Sequence, residues 1–145
     1  MKIRSCLILL CLIALLSCSK GKYQTQPQIT LQSINAVVPV NGDIDAILKF
    51  TQKGGKLGNG MFTSIRTRLN QDPLPPGTAN TDTVILQIPD FPDENQGEFQ
   101  FTPGYTYLHE SDTENDTVQF RFSVVDRVGN KSDTITTGQI VILYQ

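Results

Sequence analysis

The chain of 145 residues has no tryptophan, one histidine and three cysteines. A single histidine leaves a multi-histidine metal site or a Ser-His-Asp triad short of parts. Basic side chains are not in excess, 12 against 14 acidic ones, for a net charge of -2. The basic footprint of a nucleic-acid binder is therefore missing, and no nucleic-acid partner is expected. Long apolar runs are scarce too: the longest, Cys6 to Leu16, has eleven residues, well short of the roughly 20 that cross a bilayer as a helix.

That run sits behind a short segment carrying Lys2 and Arg4 and no acid. A basic start followed by a brief apolar stretch is the pattern of a secretory signal. Its end, Leu15-Leu16-Ser17-Cys18, resembles the bacterial lipobox. The resemblance implies that the Cys18 thiol is diacylglycerated, that the signal of residues 1–17 is cut just before it, and that the new amino group is acylated. Two or three acyl chains hold a protein stably at a membrane, which makes the bilayer the first expected partner. Position 19 is Ser and not Asp, and no acidic tract follows Cys18. By the same resemblance the address is the outer membrane, with the domain on the periplasmic side.

Removal of residues 1–17 takes away Lys2, Arg4, Cys6 and Cys11, leaving a side-chain charge of -4 and Cys18 as the only cysteine. An intrachain disulfide, a CxxC redox pair and a cysteine-based zinc site are then excluded. Residues 18–27 are polar, with Gly21 and Pro27, and read as a tether; residues 28–145 read as one domain.

Within that domain the hydrophobic period is two, the signal of half-buried strands. Val118, Phe120, Phe122 and Val124 alternate with Gln119, Arg121 and Ser123. Ile44, Ala46, Leu48 and Phe50 form a second set, Val84, Leu86 and Ile88 a third, and Phe99 with Phe101 a fourth. Further strands are expected over 29–36, 62–69, 105–108 and 139–144. Glycine and proline clusters at 54–60 and 72–77, a polar loop at 90–97 and the DRVGN turn at 126–130 separate them. The expected fold is all-β: a single antiparallel sandwich of about seven or eight strands.

The run VQFRFSVVDRVGNKSDTI, from Val118 to Ile135, resembles the last hairpin of bacterial immunoglobulin-like or fibronectin type III-like domains. Val125, Asp126, Gly129 and Asn130 carry the match. Asp126 is expected to bond turn amides, and Gly129 to take a positive φ. The sandwich departs from antibody-type domains in having neither a core tryptophan nor a cysteine pair.

Chemistry is sparse. His109 reads as a loop residue in solvent. The glycine run at 54–60 lacks the Lys-Ser/Thr ending of a phosphate loop and precedes a strand. Asp112, Glu114 and Asp116, and separately Asp90, Asp93 and Glu94, read as solvated acidic loops; neither cluster has the spacing of an EF-hand calcium loop. Tyr105 and Tyr107 are expected on one strand face as packing residues. Three triplets, at Thr83, Thr117 and Thr134, put an Asp before and an aliphatic residue after the Thr. They resemble a sequon for bacterial O-glycosylation, and the same triplet is ordinary strand-entry chemistry. No cofactor and no catalytic residue is expected. The chain reads as a non-enzymatic, lipid-anchored envelope lipoprotein whose sandwich serves as a binding or structural module for an envelope protein or glycan. The alternative is a glycan-binding accessory protein of a polysaccharide-uptake system.

Overall fold

Alternation between apolar and polar side chains builds most of the strands in the computed structural model, which describes residues 24–71, 74 and 76–145. The expected signal, Cys18 and the tether as far as residue 23 lie outside the described residues, as do Asp72, Pro73 and Pro75 of the proline-rich connector. Among the described residues nine strands and one helical turn follow in order: β1 Gln28–Ser33, β2 Val37–Val38, β3 Ala46–Thr51, β4 Met61–Arg68, β5 Thr81–Gln87, β6 Gln96–Phe101, α1 Tyr105–Leu108, β7 Asp116–Val125, β8 Ile135–Thr136 and β9 Ile140–Ile142.

Two sheets form, one ordered β1-β3-β6 and the other β2-β9-β7-β4-β5, with β8 also on β7. That order is the immunoglobulin arrangement: β1, β3 and β6 stand as A, B and E, and β9, β7, β4 and β5 as G, F, C and C′. The pairings are antiparallel with one exception. β2 runs parallel to β9, which departs from the purely antiparallel sandwich expected.

The inner faces meet in an aromatic core. Phe62 lies 5.3, 5.2 and 5.5 Å, centroid to centroid, from Phe99, Phe101 and Phe122. Phe120 and Phe122 add a stacked pair at 5.7 Å, and Ile44, Leu48, Val118 and Val124 fill around them. The alternation on β7 places Val118, Phe120, Phe122 and Val124 inside. A buried phenylalanine contributes roughly 1.5–3 kcal/mol by leaving water, and this cluster is the main apolar stabilisation of the fold.

Two expectations fail here for identifiable reasons. Residues 105–108 are not a strand but a single helical turn, in which the His109 amide bonds the Tyr105 carbonyl at 2.8 Å. Helical spacing lets Leu108 enter the core while the Tyr105 hydroxyl reaches back to the Leu143 carbonyl at 2.7 Å. Tertiary contacts override the two-residue pattern. Of the set Val84, Leu86 and Ile88, only Ile88, just past the end of β5, is buried, and Leu86 is 44% exposed. The facing sheet has three strands and ends at β6, so no strand among the described residues covers the outer part of β5.

The domain starts earlier than its first strand. Residues 24–27 fall in the stretch read as tether, yet they are bonded to the sandwich. The Gln24 carbonyl accepts from the Lys53 amide at 2.7 Å, the Thr25 carbonyl accepts from Gln52 Nε2 at 3.0 Å, and Pro27 is buried.

Candidate functional site

Three places concentrate polar or uncovered side chains. One lies at the start of β7. On β4 the inward-facing phase is Phe62, Ser64, Arg66 and Arg68, so two arginines point into the sandwich beside the apolar core. Arg68 Nε donates to Asp116 Oδ1 at 2.5 Å and its Nη2 to Glu114 Oε1 at 2.8 Å. The Glu110 and Ser111 amides donate to Asp116 Oδ2 at 2.7 and 3.0 Å. Arg66 donates to Glu110 and to the Tyr107 carbonyl, and its guanidinium lies 4.5 Å from the Tyr107 ring centroid. Burial pushes the Asp116 carboxyl up, but hydrogen bonds from Arg68 and the two amides outweigh it and hold the group below its ordinary value. Burial likewise raises the Tyr107 hydroxyl to about 12, against the opposing charge of Arg66.

This geometry corrects two expectations. Asp116 is fully buried and ion-paired, so the 112–116 segment is not uniformly a solvated acidic loop. His109 is not a free loop residue either: its ring stacks 4.9 Å from Tyr105 and lies 5.7 Å from Tyr144, and its side chain is 17% exposed with Nδ1 3.2 Å from Asp116 Oδ2. The signal that reveals this cluster is the phase of Arg66 and Arg68 on β4, two charged residues in register with Phe62.

A second polar centre follows β7. Asp126 Oδ1 accepts from the Val128 and Asn130 amides at 3.0 and 2.7 Å. Its Oδ2 accepts from Asn130 Nδ2 at 2.9 Å and from the buried Gln52 Nε2 at 2.5 Å. Gly129 has φ +92°, the left-handed region where glycine carries no steric penalty. Burial raises the Asp126 carboxyl, and the bonds from Asn130, Gln52 and Val128 outweigh it and lower it overall. Both centres tie loops to strands.

The other candidates are scattered. Among the described residues no group of three or more His, Cys, Asp or Glu side chains is placed to hold a metal ion. Asp93 pairs with Arg127 at 2.9 Å. Tyr105 and Tyr107 are half-buried within the fold. The glycine run forms the turn between β3 and β4, with Gly54 and Gly55 at positive φ. Thr83 on β5 and Thr134 before β8 are exposed, whereas Thr117 on β7 is half-buried and its amide donates to Asn70 Oδ1 at 2.7 Å. Cys18 lies outside the described residues.

The third place is the open flank between β5 and β6. A depression of about 340 Å³ lies there, floored by Phe62, Leu86, Ile88, Phe99 and Phe101. A second, of about 260 Å³, is lined by Phe50, Phe91, Pro92 and Gly97. On the outer face of the same edge Ile85 is 59% exposed.

No family model and no curated protein matches the chain. Among solved structures, a cohesin module from a Clostridium perfringens family 33 glycoside hydrolase is similar over 83% of this chain and 98% of that one, at 12% identity and a TM-score of 0.40. A β-glucosidase from Listeria innocua, in complex with gluconolactone, is similar over 84% of this chain at 9% identity and a TM-score of 0.44. This chain spans only 16% of that enzyme. The fold assignment rests on the strand order of this chain itself.

Proposed function

We propose that this chain is a lipid-anchored lipoprotein of the bacterial envelope whose immunoglobulin-type sandwich is a non-enzymatic binding module. The LLSC sequence ending at Cys18 supports the anchor, and with it an outer-membrane address on the periplasmic side. The observation that carries the binding half is the uncovered flank, where Leu86 is 44% exposed beside a depression floored by Phe62, Ile88, Phe99 and Phe101. Contiguous apolar surface rimmed by polar residues is characteristic of interaction sites. Replacing Cys18 with Ala tests the anchor: palmitate labelling should vanish and the protein should leave the outer-membrane fraction. Unchanged labelling and partitioning would overturn it. The glycan-binding alternative calls for exposed flat aromatics; among the described residues every Phe and Tyr is buried or half-buried.

A further inference from the structure

The open flank has a regular geometry that specifies what fits it. β6 is the outermost strand of its sheet. Its pairing with β3 joins Phe50 to Gly97 and Leu48 to Phe99, and the Gln52 amide bonds the Asn95 carbonyl at 2.8 Å just beyond it. In an antiparallel ladder hydrogen-bonded pairs alternate. Asn95, Gly97, Phe99 and Phe101 therefore turn their amides and carbonyls toward β3, and Glu98 and Gln100 turn theirs away from it. An edge that presents such groups is a template for another strand.

Side-chain space lies along the same edge. Gly97, Phe99 and Phe101 occupy the inward phase. A Cβ at Gly97 would lie 2.7 Å from the Phe50 ring, so the missing side chain lets that ring lie against β6. The smaller depression sits at Gly97 and the larger at Phe99 and Phe101. Neighbouring same-face side chains on an added strand stand about 7 Å apart, the spacing that serves both depressions.

Charge narrows the occupant. Asp45, Asp90, Glu94 and Glu98 are exposed around this edge, and Asp45 is tied to the Gln100 side chain at 2.5 Å. Two cations lie among them: Lys49, opposite Glu98, and Arg127, which is paired with Asp93 at 2.9 Å. A second copy of the chain would bring an equally acidic edge to this one, which blunts self-pairing.

We infer that the β6 edge is a strand-addition site for an extended segment of another protein, with apolar side chains at alternate positions and lysine or arginine between them. The inference rests on the binding half of the proposed function and is independent of the anchor. The backbone of Glu98 and Gln100 would pair with the incoming strand, the two depressions would take its apolar side chains, and Glu94 and Glu98 would face its cations. This is the β-augmentation mode of peptide recognition.

The test uses the full isotope-labelled chain in detergent micelles and two blocked nonapeptides, one alternating Lys with Val and one alternating Glu with Val. The Lys–Val peptide should shift the amide resonances of Glu98, Gln100 and Leu86 and slow exchange at the first two. The Glu–Val peptide should leave them unmoved. Binding should weaken several-fold as salt screens the charges. Because the Glu98 amide points away from β3, Glu98→Pro spares the internal ladder; it should weaken binding about tenfold or more, one edge hydrogen bond with its geometry, at an unchanged Tm. Glu98→Lys, which keeps the strand intact whatever proline does, should shift the preference toward the Glu–Val peptide. No shift with the Lys–Val peptide at millimolar concentration, shifts located elsewhere, or binding indifferent to both variants would overturn the inference. Concentration-dependent dimerisation abolished by Glu98→Pro would assign the edge to a second copy and overturn it equally. Loss of palmitate labelling at Cys18 has no bearing on these outcomes, so the anchor and the edge fail separately.

Discussion

Strand β7 begins on one buried aspartate and is followed directly by another, and the two are stabilised by different means. Asp116 is held by the Arg68 guanidinium together with two backbone amides. Asp126 is held by amides and neutral side chains, and its partners Val128 and Asn130 lie two and four residues away. A full countercharge fastens β7 to β4 at one end. A local turn, closed by donors that carry no net charge, fastens the chain to itself at the other. The difference teaches that a buried carboxylate here serves either to lock two distant strands or to shape one hairpin.

Replacements that separate these two roles should differ in size. Asp116→Ala leaves a buried guanidinium without its main partner, and breaking such a pair is strongly destabilising. A loss of about 3 kcal/mol is expected, toward the low end because Glu114 still accepts from Arg68. Chemical denaturation checks it; a loss under about 1 kcal/mol would make the Arg68 bridge dispensable. Asp126→Ala strands the Val128 and Asn130 amides and one bond of Gln52, for an expected loss of about 2 kcal/mol. Hydrogen exchange should then quicken at residues 126–132 and leave β4 untouched. An effect spread over β4 as well would erase the contrast between the two ends.

Acid should act on both centres at once. Asp116 and Asp126 are each held below the ordinary value of 3.8 in the folded chain. Unfolding therefore takes up protons as pH falls through that value. The stabilisation is present above about pH 4 and is lost as pH drops toward and through the lowered values. In Asp116→Asn the slope of stability against pH between 5 and 2 should be visibly flatter, and an unchanged slope would remove Asp116 from the account. Gly129→Ala should cost about 1 kcal/mol, because the positive φ is strained for alanine although no neighbour obstructs a Cβ there. Smallest of all, Val128→Ser at the exposed tip of the same turn should stay within about 0.5 kcal/mol.

The two centres also mark what could be read from the chain. The Asp126 turn was legible because its backbone donors and its glycine sit within four residues of the carboxylate; its bond from Gln52, 74 residues away, was not. The Asp116 lock was not, since Arg68 lies 48 residues away and only the fold brings them together. The inward phase of Arg66 and Arg68 on β4 went unread, and it would not have named their partners. The strands of the core were visible wherever both neighbours were strands, as on β7. On β5 the same alternation misled, because whether a residue is covered depends on how many strands the facing sheet has. At 105–108 alternation misled again: four residues are too few to distinguish a strand from a helical turn.

The parallel pairing of β2 with β9 bears on how the domain resists a pull. Residues 24–27 are fastened at the end of the sandwich that holds the Asp126 turn. The Tyr144 amide bonds Asn115 at the other end, at 2.8 Å. Tension applied between Gln24 and Gln145 would draw β2 and β9 past each other along their length. The Val141 amide on the Ala36 carbonyl and the Leu143 amide on the Val38 carbonyl, both 2.9 Å, would then bear the load together instead of parting one by one. Stretching single molecules by those two ends should give one abrupt rupture, and a gradual lengthening at low force would show that the load bypasses the pair. A module built this way is braced for traction applied between its two ends.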